Sequence, residues 1–101
     1  MKTREELVNL GIEGFKADEI MLLQEKMLEQ AVMFQFRKKS GEVRDAVGTL
    51  NKALMRLPDG TFYEFKGEGR PEPAGVIRFF DVAKGAWRSF TAIEFIGLSK
   101  A

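Results

Sequence analysis

The spacing of apolar residues changes at Val32 from the period of a helix to the period of a strand. Before this point, apolar side chains recur every three or four residues and form one wide stripe, at Ile20, Leu23, Met27, Leu28 and Ala31. From Val32 onward they alternate, so that Val32, Phe34 and Phe36 fall on one side of a strand. The sequence therefore predicts a helical segment over residues 1–31 and a strand-rich segment over residues 32–101.

The helical segment carries signals for two helices. Thr3 and Glu6 have the spacing of a capping box, which predicts a short helix over residues 4–10. Gly11 is expected to end this helix, and a second helix is expected to begin near Asp18. The apolar stripe of the second helix is expected to pack on the domain's own sheet, because a small core needs every apolar face. The alternative is a helix that binds a partner.

Turn residues divide the strand-rich segment into hairpins. Two hairpins are predicted over residues 32–48 and 76–93, with turns at 38–41 and 83–85. Residues 95–98 are expected to form a last strand, which would pair with an earlier one and protect a sheet edge.

The connection between the two hairpins has little periodicity. Residues 49–57 predict a single helical turn or a bulged crossover, followed by the turn signal Pro58-Asp59-Gly60. Glycine, proline and charged residues fill residues 66–75, which predicts a mobile surface loop. All of these elements are expected to form one domain over residues 1–101, which is a common size for a single core.

The chain contains no cysteine and no histidine. It can therefore form no disulfide, no thiolate zinc site and no cysteine nucleophile, and it lacks the commonest general base. No phosphate-cradling glycine motif in the required strand-to-helix order is present. We therefore expect no enzyme activity, no cofactor and no metal. No apolar run reaches the length of a signal-peptide core or a membrane span, so we expect a cytoplasmic location and no membrane association.

The net charge of +1 conceals an uneven distribution along the chain. Residues 1–31 carry 4 basic and 7 acidic side chains, whereas residues 32–101 carry 12 basic and 8 acidic ones. The strand-rich segment is thus the basic one, with a net charge of +4. This imbalance permits an anionic partner, although the same charges could serve only solvation.

Three stretches of the strand-rich segment resemble a known family. The first is FQFRKKSGEVRDAVGTL, with family-like residues at Phe34, Phe36, Lys38, Gly41, Arg44, Ala46, Gly48 and Thr49. The second is VIRFFDVAKGAWRSF, with family-like residues at Phe80, Asp81, Gly85, Trp87, Arg88 and Phe90. The third is the apolar IEFIGL. Together they resemble the small bacterial SH3-like, Sm-like β-barrel proteins related to the WYL domain, which are common in Bacteroides-type bacteria and their mobile elements.

This resemblance implies an α+β fold in which the N-terminal helices pack on a small antiparallel SH3-like or Sm-like β-barrel. WYL domains occur in transcription regulators and are thought to sense ligands or nucleic acid through basic side chains. The Trp87-Arg88-x-Phe90 segment resembles their closing strand, although the Trp-Tyr-Leu signature itself is absent.

Four arginines fall within predicted strands, at Arg37, Arg44, Arg78 and Arg88. Two or three of them on one sheet face would form a fork-shaped site for phosphate. Lys38, in the turn of the first hairpin, is a further basic candidate for binding the same ligand. The alternative is that these side chains are solvated or pair with nearby carboxylates, at Glu42, Asp45 and Asp81.

Trp87 is the aromatic candidate, because aromatic rings beside basic residues are used to stack unpaired bases. Its proposed companions are Phe62, Tyr63, Phe79 and Phe80, and the alternative for all of them is a place in the core. The sequence predicts a non-enzymatic binding module, an accessory regulator that binds nucleic acid or an anionic ligand through strand arginines. The alternative function is a protein-interaction or structural module that forms a homodimer or docks through the second helix or an edge strand.

Overall fold

The computed structural model describes residues 1–65, 69 and 71–99. Within them, helix α1 (Arg4–Asn9) and helix α2 (Gly14–Met27) precede five strands. The strands are β1 (Val32–Arg37), β2 (Val43–Thr49), β3 (Val76–Asp81), β4 (Ala86–Thr91) and β5 (Phe95–Leu98). Short 3-10 helices lie at Lys52–Leu54 and Ala92–Glu94. The longer described helix, α2, has 14 residues, fewer than the roughly 20 that span a bilayer, and no described helix is a candidate for crossing a membrane.

Helix α1 begins where the sequence predicts and ends at Asn9, one residue before the predicted end. The backbone N–H of Glu6 donates to Thr3 Oγ1 at 3.1 Å, and the backbone N–H of Thr3 donates to Glu6 Oε1 at 3.4 Å. These two bonds form the predicted capping box. After the helix, Gly11 has φ of 90°, and the N–H of Ile12 donates back to the carbonyl of Leu7 at 3.3 Å. This is the geometry of a glycine-terminated helix end.

Helix α2 begins at Gly14, one turn before the predicted start at Asp18. Glycine is a poor helix former in a helix interior but costs less at the first helical position, and the extra turn buries Ala17 completely. The helix ends at Met27, so the prediction that Leu28 and Ala31 belong to its buried apolar stripe is wrong. Both residues lie outside the helix and are exposed.

The five strands form one antiparallel sheet in the order β4-β3-β2-β1-β5. Both predicted hairpins are confirmed, as β1 with β2 and β3 with β4. The predicted last strand is also confirmed, because β5 pairs with β1. Among the described residues no ladder joins β4 to β5, so these two strands are the edges of an open sheet.

Strand alternation and register give the sheet two different faces. The interior face carries the alternate residues that α2 covers, including Phe34, Phe36, Ala46, Ile77, Phe79 and Phe90. Ile20, Leu23 and Met27 of α2 are fully buried in the same core, which confirms that the helical stripe packs on the domain's own sheet. The outer face carries the residues of opposite parity, including Gln35, Asp45, Phe80 and Trp87.

Gly48 lies on the interior face at a position with no room for a side chain. A Cβ atom at this position would lie 2.7 Å from Cδ2 of Phe79 and 3.0 Å from Cε1 of Phe34. Glycine therefore leaves room for the rings of Phe34 and Phe79 to pack directly against the backbone of β2.

The carboxylate of Glu19 in α2 covers the outer edge of β5. The N–H of Ser99 donates to the carbonyl of Met33 in β1, so the N–H of the preceding residue, Leu98, points away from β1. This N–H donates to Glu19 Oε1 at 2.8 Å. Helix α2 thus contributes both to the core and to the protection of one sheet edge.

The predicted loop over residues 66–75 lies in part outside the described residues, at 66–68 and 70. In its described part, Glu72 links the amino-terminal end of the chain to β3. Its Oε1 accepts from Lys2 Nζ at 2.8 Å, and its Oε2 accepts from the backbone N–H of Arg78 at 2.9 Å. The side chain of Lys2 is only 4% exposed. The mobility of the loop remains a prediction.

Candidate anion-binding cleft

Three charged residues from neighbouring strands meet at one end of the interior face. Gly48 of β2 pairs with Asp81 of β3, and Phe79 of β3 pairs with Arg88 of β4. Asp81 and Arg88 therefore share the interior face with the buried phenylalanines. Arg44 reaches this face as well, because it lies two residues before the buried Ala46. The apolar layer of the core thus ends in a group of charges.

Asp81 is the centre of this group. Its side chain is 3% exposed, and its Oδ1 accepts from the backbone N–H of Lys84 at 3.0 Å. Its Oδ2 lies 3.6 Å from Nη2 of Arg44 and 3.7 Å from Nε of Arg88. Both distances exceed those of hydrogen bonds, so the contacts are ion pairs held by Coulomb attraction alone. One carboxylate faces two guanidinium groups, and the three side chains together carry a net charge of +1.

The two arginines also line a cleft beside the β1–β2 turn, with a volume of about 300 Å³. Its apolar lining includes Phe36 and Phe90, whose rings stack at 5.1 Å between centroids. Its lining contains five basic residues and one acidic residue: Arg37, Lys38, Lys39, Arg44, Arg88 and Glu94. The cleft lining therefore carries a net charge of +4 in a chain whose net charge is +1.

A second concavity, of about 480 Å³, lies on the other side of Arg44. It is lined by three basic residues, Lys38, Arg44 and Lys84, and by three acidic ones, Glu42, Asp45 and Asp81. Its charges cancel, so it has no preference for an anion. We refer to the first concavity, between β1, β2 and β4, as the basic cleft.

The structure brings together four of the six residues predicted from the sequence. Arg44 and Arg88 meet at Asp81, and Arg37 and Lys38 line the same cleft. Arg37 Nη1 donates to the carbonyl of Gly41 at 2.8 Å. Lys38 Nζ lies 4.0 Å from a carboxylate oxygen of Glu42. The side chains of Arg37 and Lys38 are therefore both partly restrained by contacts within the turn.

The other two predicted residues lie on the outer face. Arg78 pairs with Ser89, and Trp87 pairs with Phe80, both with parity opposite to that of Phe79. The four strand arginines therefore do not form one site. Sequence reasoning also missed Lys39 as a member of the cleft, although it is next to Lys38 in the same basic turn.

Aromatic residues around Trp87 form a cluster on the outer face. The ring of Phe80, which is fully buried, lies 5.8 Å from that of Trp87 and 5.6 Å from that of Tyr63. The ring of Phe65 lies 6.5 Å from that of Trp87. Phe79, a predicted companion of Trp87, lies instead in the core on the opposite face. Tyr63 and Phe80 were correctly grouped with Trp87.

The turn that precedes Phe62 lowers the pKa of a carboxyl group. The hydroxyl of Thr61 donates to Asp59 Oδ1 at 2.7 Å, and the backbone N–H of Thr61 donates to the same oxygen at 3.0 Å. These bonds lower the pKa of Asp59 below its ordinary value, so the carboxylate stays charged at neutral pH. Across the described residues, no group of three or more acidic side chains is arranged to hold a metal ion.

Helices on one face of an open, five-stranded antiparallel sheet, with a basic cleft at one end of the core, define a small α+β domain. The family model WYL_2, described as an Sm-like SH3 beta-barrel fold, matches residues 20–96. The chain therefore belongs to the WYL_2 family, as the resemblance of its hairpins predicts. The match begins inside α2 and extends into β5. No curated protein and no solved structure matched the chain.

Proposed function

We propose that this domain is a non-enzymatic binding module that holds a phosphate or similar anionic group of its ligand in the basic cleft. The observation that supports this proposal is the convergence of Arg44 and Arg88 on the single carboxylate of Asp81. A regulatory accessory role follows if the ligand is a signal or a nucleic acid.

Arginine suits this task better than lysine does. Its planar guanidinium presents a fixed fork of N–H donors that matches the oxygens of phosphate or carboxylate. Arg44 and Arg88 come from different strands of one sheet, so the backbone sets the spacing between their forks. Phe36 and Phe90 lie beside them and keep part of the cleft apolar, which strengthens charge interactions there.

The position of the cleft also fits the family's fold. Its walls are β4, the residues just after β4 and the end of β1. In a closed barrel, this is the side on which β4 would approach β5. We propose that barrel closure would leave the cleft at the mouth of the barrel, where ligands of small barrels commonly bind.

Titration calorimetry at low salt tests the proposal with two probes. Inorganic pyrophosphate presents a compact anion, and a short DNA duplex presents backbone phosphates with its bases hidden. We expect binding of at least one probe, with an affinity that falls as salt rises. Arg88→Gln and Arg44→Gln should each weaken it about tenfold or more, the effect of losing a charged hydrogen bond.

Lys26→Gln is the matched control, because it removes one positive charge from an exposed position on α2. Lys26→Gln should leave the affinity for the probe unchanged if the cleft is the binding site. If only net charge matters, it should lower that affinity as much as the arginine variants do. Binding of pyrophosphate alone indicates a small-molecule ligand, and binding of the duplex alone indicates a nucleic-acid backbone. Binding of neither probe at low salt rejects the proposal.

A second candidate function is protein interaction, and the exposed side of α2 favours it. Phe15 is 69% exposed and Leu22 is 43% exposed, and their spacing of seven residues places them on one side of the helix. They lie apart from the stripe that packs on the sheet. Light scattering on the purified protein tests the homodimer version, since a monomeric mass at high concentration leaves only a different partner.

A further inference from the structure

The outer face of the sheet exposes aromatic rings next to a positive charge. We call Tyr63, Phe65 and Trp87 the outer aromatic surface. Phe65 is 46% exposed and Trp87 is 37% exposed, whereas Tyr63 is half-buried between them. Rings of this size are usually buried, and a group of exposed ones marks a binding surface.

A cation lies directly over one of these rings. The Nζ atom of Lys52 is 4.6 Å from the ring centre of Phe65, which is a cation–π distance. A second such pair, Arg56 over Phe62 at 4.0 Å, lies on the other side of the segment from Tyr63, because side chains alternate along extended backbone. The outer aromatic surface therefore combines flat apolar rings with the positive charge of Lys52.

The surrounding structure keeps these rings in place. Arg56 and Phe62 pair as a β-bridge, and the N–H of Tyr63 donates to the carbonyl of Met55 at 2.9 Å. Below them, the fully buried ring of Phe80 contacts both Tyr63 and Trp87. The surface is thus arranged before any ligand arrives, which lowers the entropy cost of binding.

We infer that the outer aromatic surface binds unpaired bases of a single-stranded nucleic acid, with Lys52 next to a phosphate. A single strand carries flat bases beside negative phosphates, which complements rings that lie beside a cation. Every base offers a π-face for stacking, so this mode needs no specific sequence. In a duplex the bases are stacked on each other and only the charges remain available.

This inference does not depend on the basic cleft. Trp87 and Arg88 are neighbours in β4 but lie on opposite faces of the sheet, because side chains alternate along a strand. A ligand in the cleft and a base on Trp87 therefore contact different sides of the domain. Variants on one face test one site and serve as controls for the other.

Trp87 is the only tryptophan in the chain, so its fluorescence reports on this surface directly. Titration with an oligodeoxythymidine of about 8 nucleotides should quench the fluorescence and saturate, whereas a duplex of equal length should have a much weaker effect. Phe65→Ala should weaken the binding about tenfold, the effect of losing one stacked base. Lys52→Gln should lower the slope of affinity against salt by about 0.7.

Phe15→Ala is the matched control, since it removes a still more exposed phenylalanine from α2, 69% against 46% for Phe65, and should not change the binding. Arg88→Gln should leave the quenching intact, and Phe65→Ala should leave pyrophosphate binding intact, so the two sites can fail separately. Several results would overturn the inference: no quenching at low salt, quenching that Phe65→Ala does not alter, quenching that Arg88→Gln abolishes, or a response only to an acidic, tyrosine-containing peptide.

Discussion

Replacement of Phe34 by alanine is expected to lower the free energy of unfolding by about 3–5 kcal/mol. Phe34 is fully buried in β1, and its ring lies 5.1 Å from that of Phe79 and 5.4 Å from that of Phe90. The ring of Phe95, from β5, lies 6.4 Å away. Removal of Phe34 therefore leaves a cavity where rings from four elements of the sheet meet, and these rings cannot all move in to fill it.

Urea denaturation followed by circular dichroism measures this effect. Phe15→Ala makes the same chemical change at a side chain that is 69% exposed, and it should shift stability by less than about 0.5 kcal/mol. A loss below about 1 kcal/mol for Phe34→Ala would contradict the placement of this ring at the centre of the core. Such a result would also contradict the interior face on which the position of the basic cleft depends.

Asp81→Asn is expected to raise the affinity of the cleft for pyrophosphate by about tenfold. Asp81 is the internal anion that Arg44 and Arg88 now face, and a ligand anion must compete with it. Asparagine keeps an oxygen that can accept from the N–H of Lys84 but has no charge, so both arginines would be left to the ligand. The same change should lower stability, because the native ion pairs are lost.

Titration calorimetry and urea denaturation on the same variant measure the two opposite effects. Asp45→Asn is the control: it removes a carboxylate on the outer face, where Asp45 accepts a hydrogen bond from Gln35 at 2.7 Å. It should leave pyrophosphate affinity unchanged. If Asp81→Asn instead weakens binding, then Asp81 orients the arginines for the ligand, and the idea that it competes with the ligand is wrong.

The strand pairing could be predicted from the sequence because its signals are local. Val32, Phe34 and Phe36 alternate with polar neighbours, and Gly41, at φ of 90°, closes the turn that joins β1 to β2. Alternation and a short turn together fix the register of a hairpin. The early start of α2 could not be predicted in this way, because Ala17 is buried in a core that other elements share, including Leu7 of α1.

The basic cleft was only partly predictable. Arg44 and Arg88 each lie two residues before a buried residue, Ala46 and Phe90, whereas Arg78 lies between Ile77 and Phe79. The alternation of side chains along a strand therefore places Arg78 on the opposite face from Arg44 and Arg88. Their meeting at Asp81 also requires β2 to pair with β3, and these strands are joined by a long connection with no period to predict their register.

The outer aromatic surface could be assembled only in part from the sequence, which grouped Tyr63 with Trp87 but missed Phe65 and Lys52. Tyr63 and Phe65 belong to an irregular segment, and irregular segments give no rule for which way a side chain points. Lys52 comes from a 3-10 helix more than ten residues earlier in the chain. Only the folding of this segment over Phe80 brings them to Trp87.

The carboxylate of Glu19 bears on how molecules of this protein behave when they are crowded together. Exposed strand edges are the places where separate copies join into growing fibres. At the edge of β5, an arriving strand would find the N–H of Leu98 already taken, and Glu19 Oε1 would lie 3.1 Å from any Cβ atom placed on Gly97. Fibre growth along β5 would require the displacement of an acidic side chain from a half-buried position. One residue of α2 thus makes aggregation at this edge unfavourable.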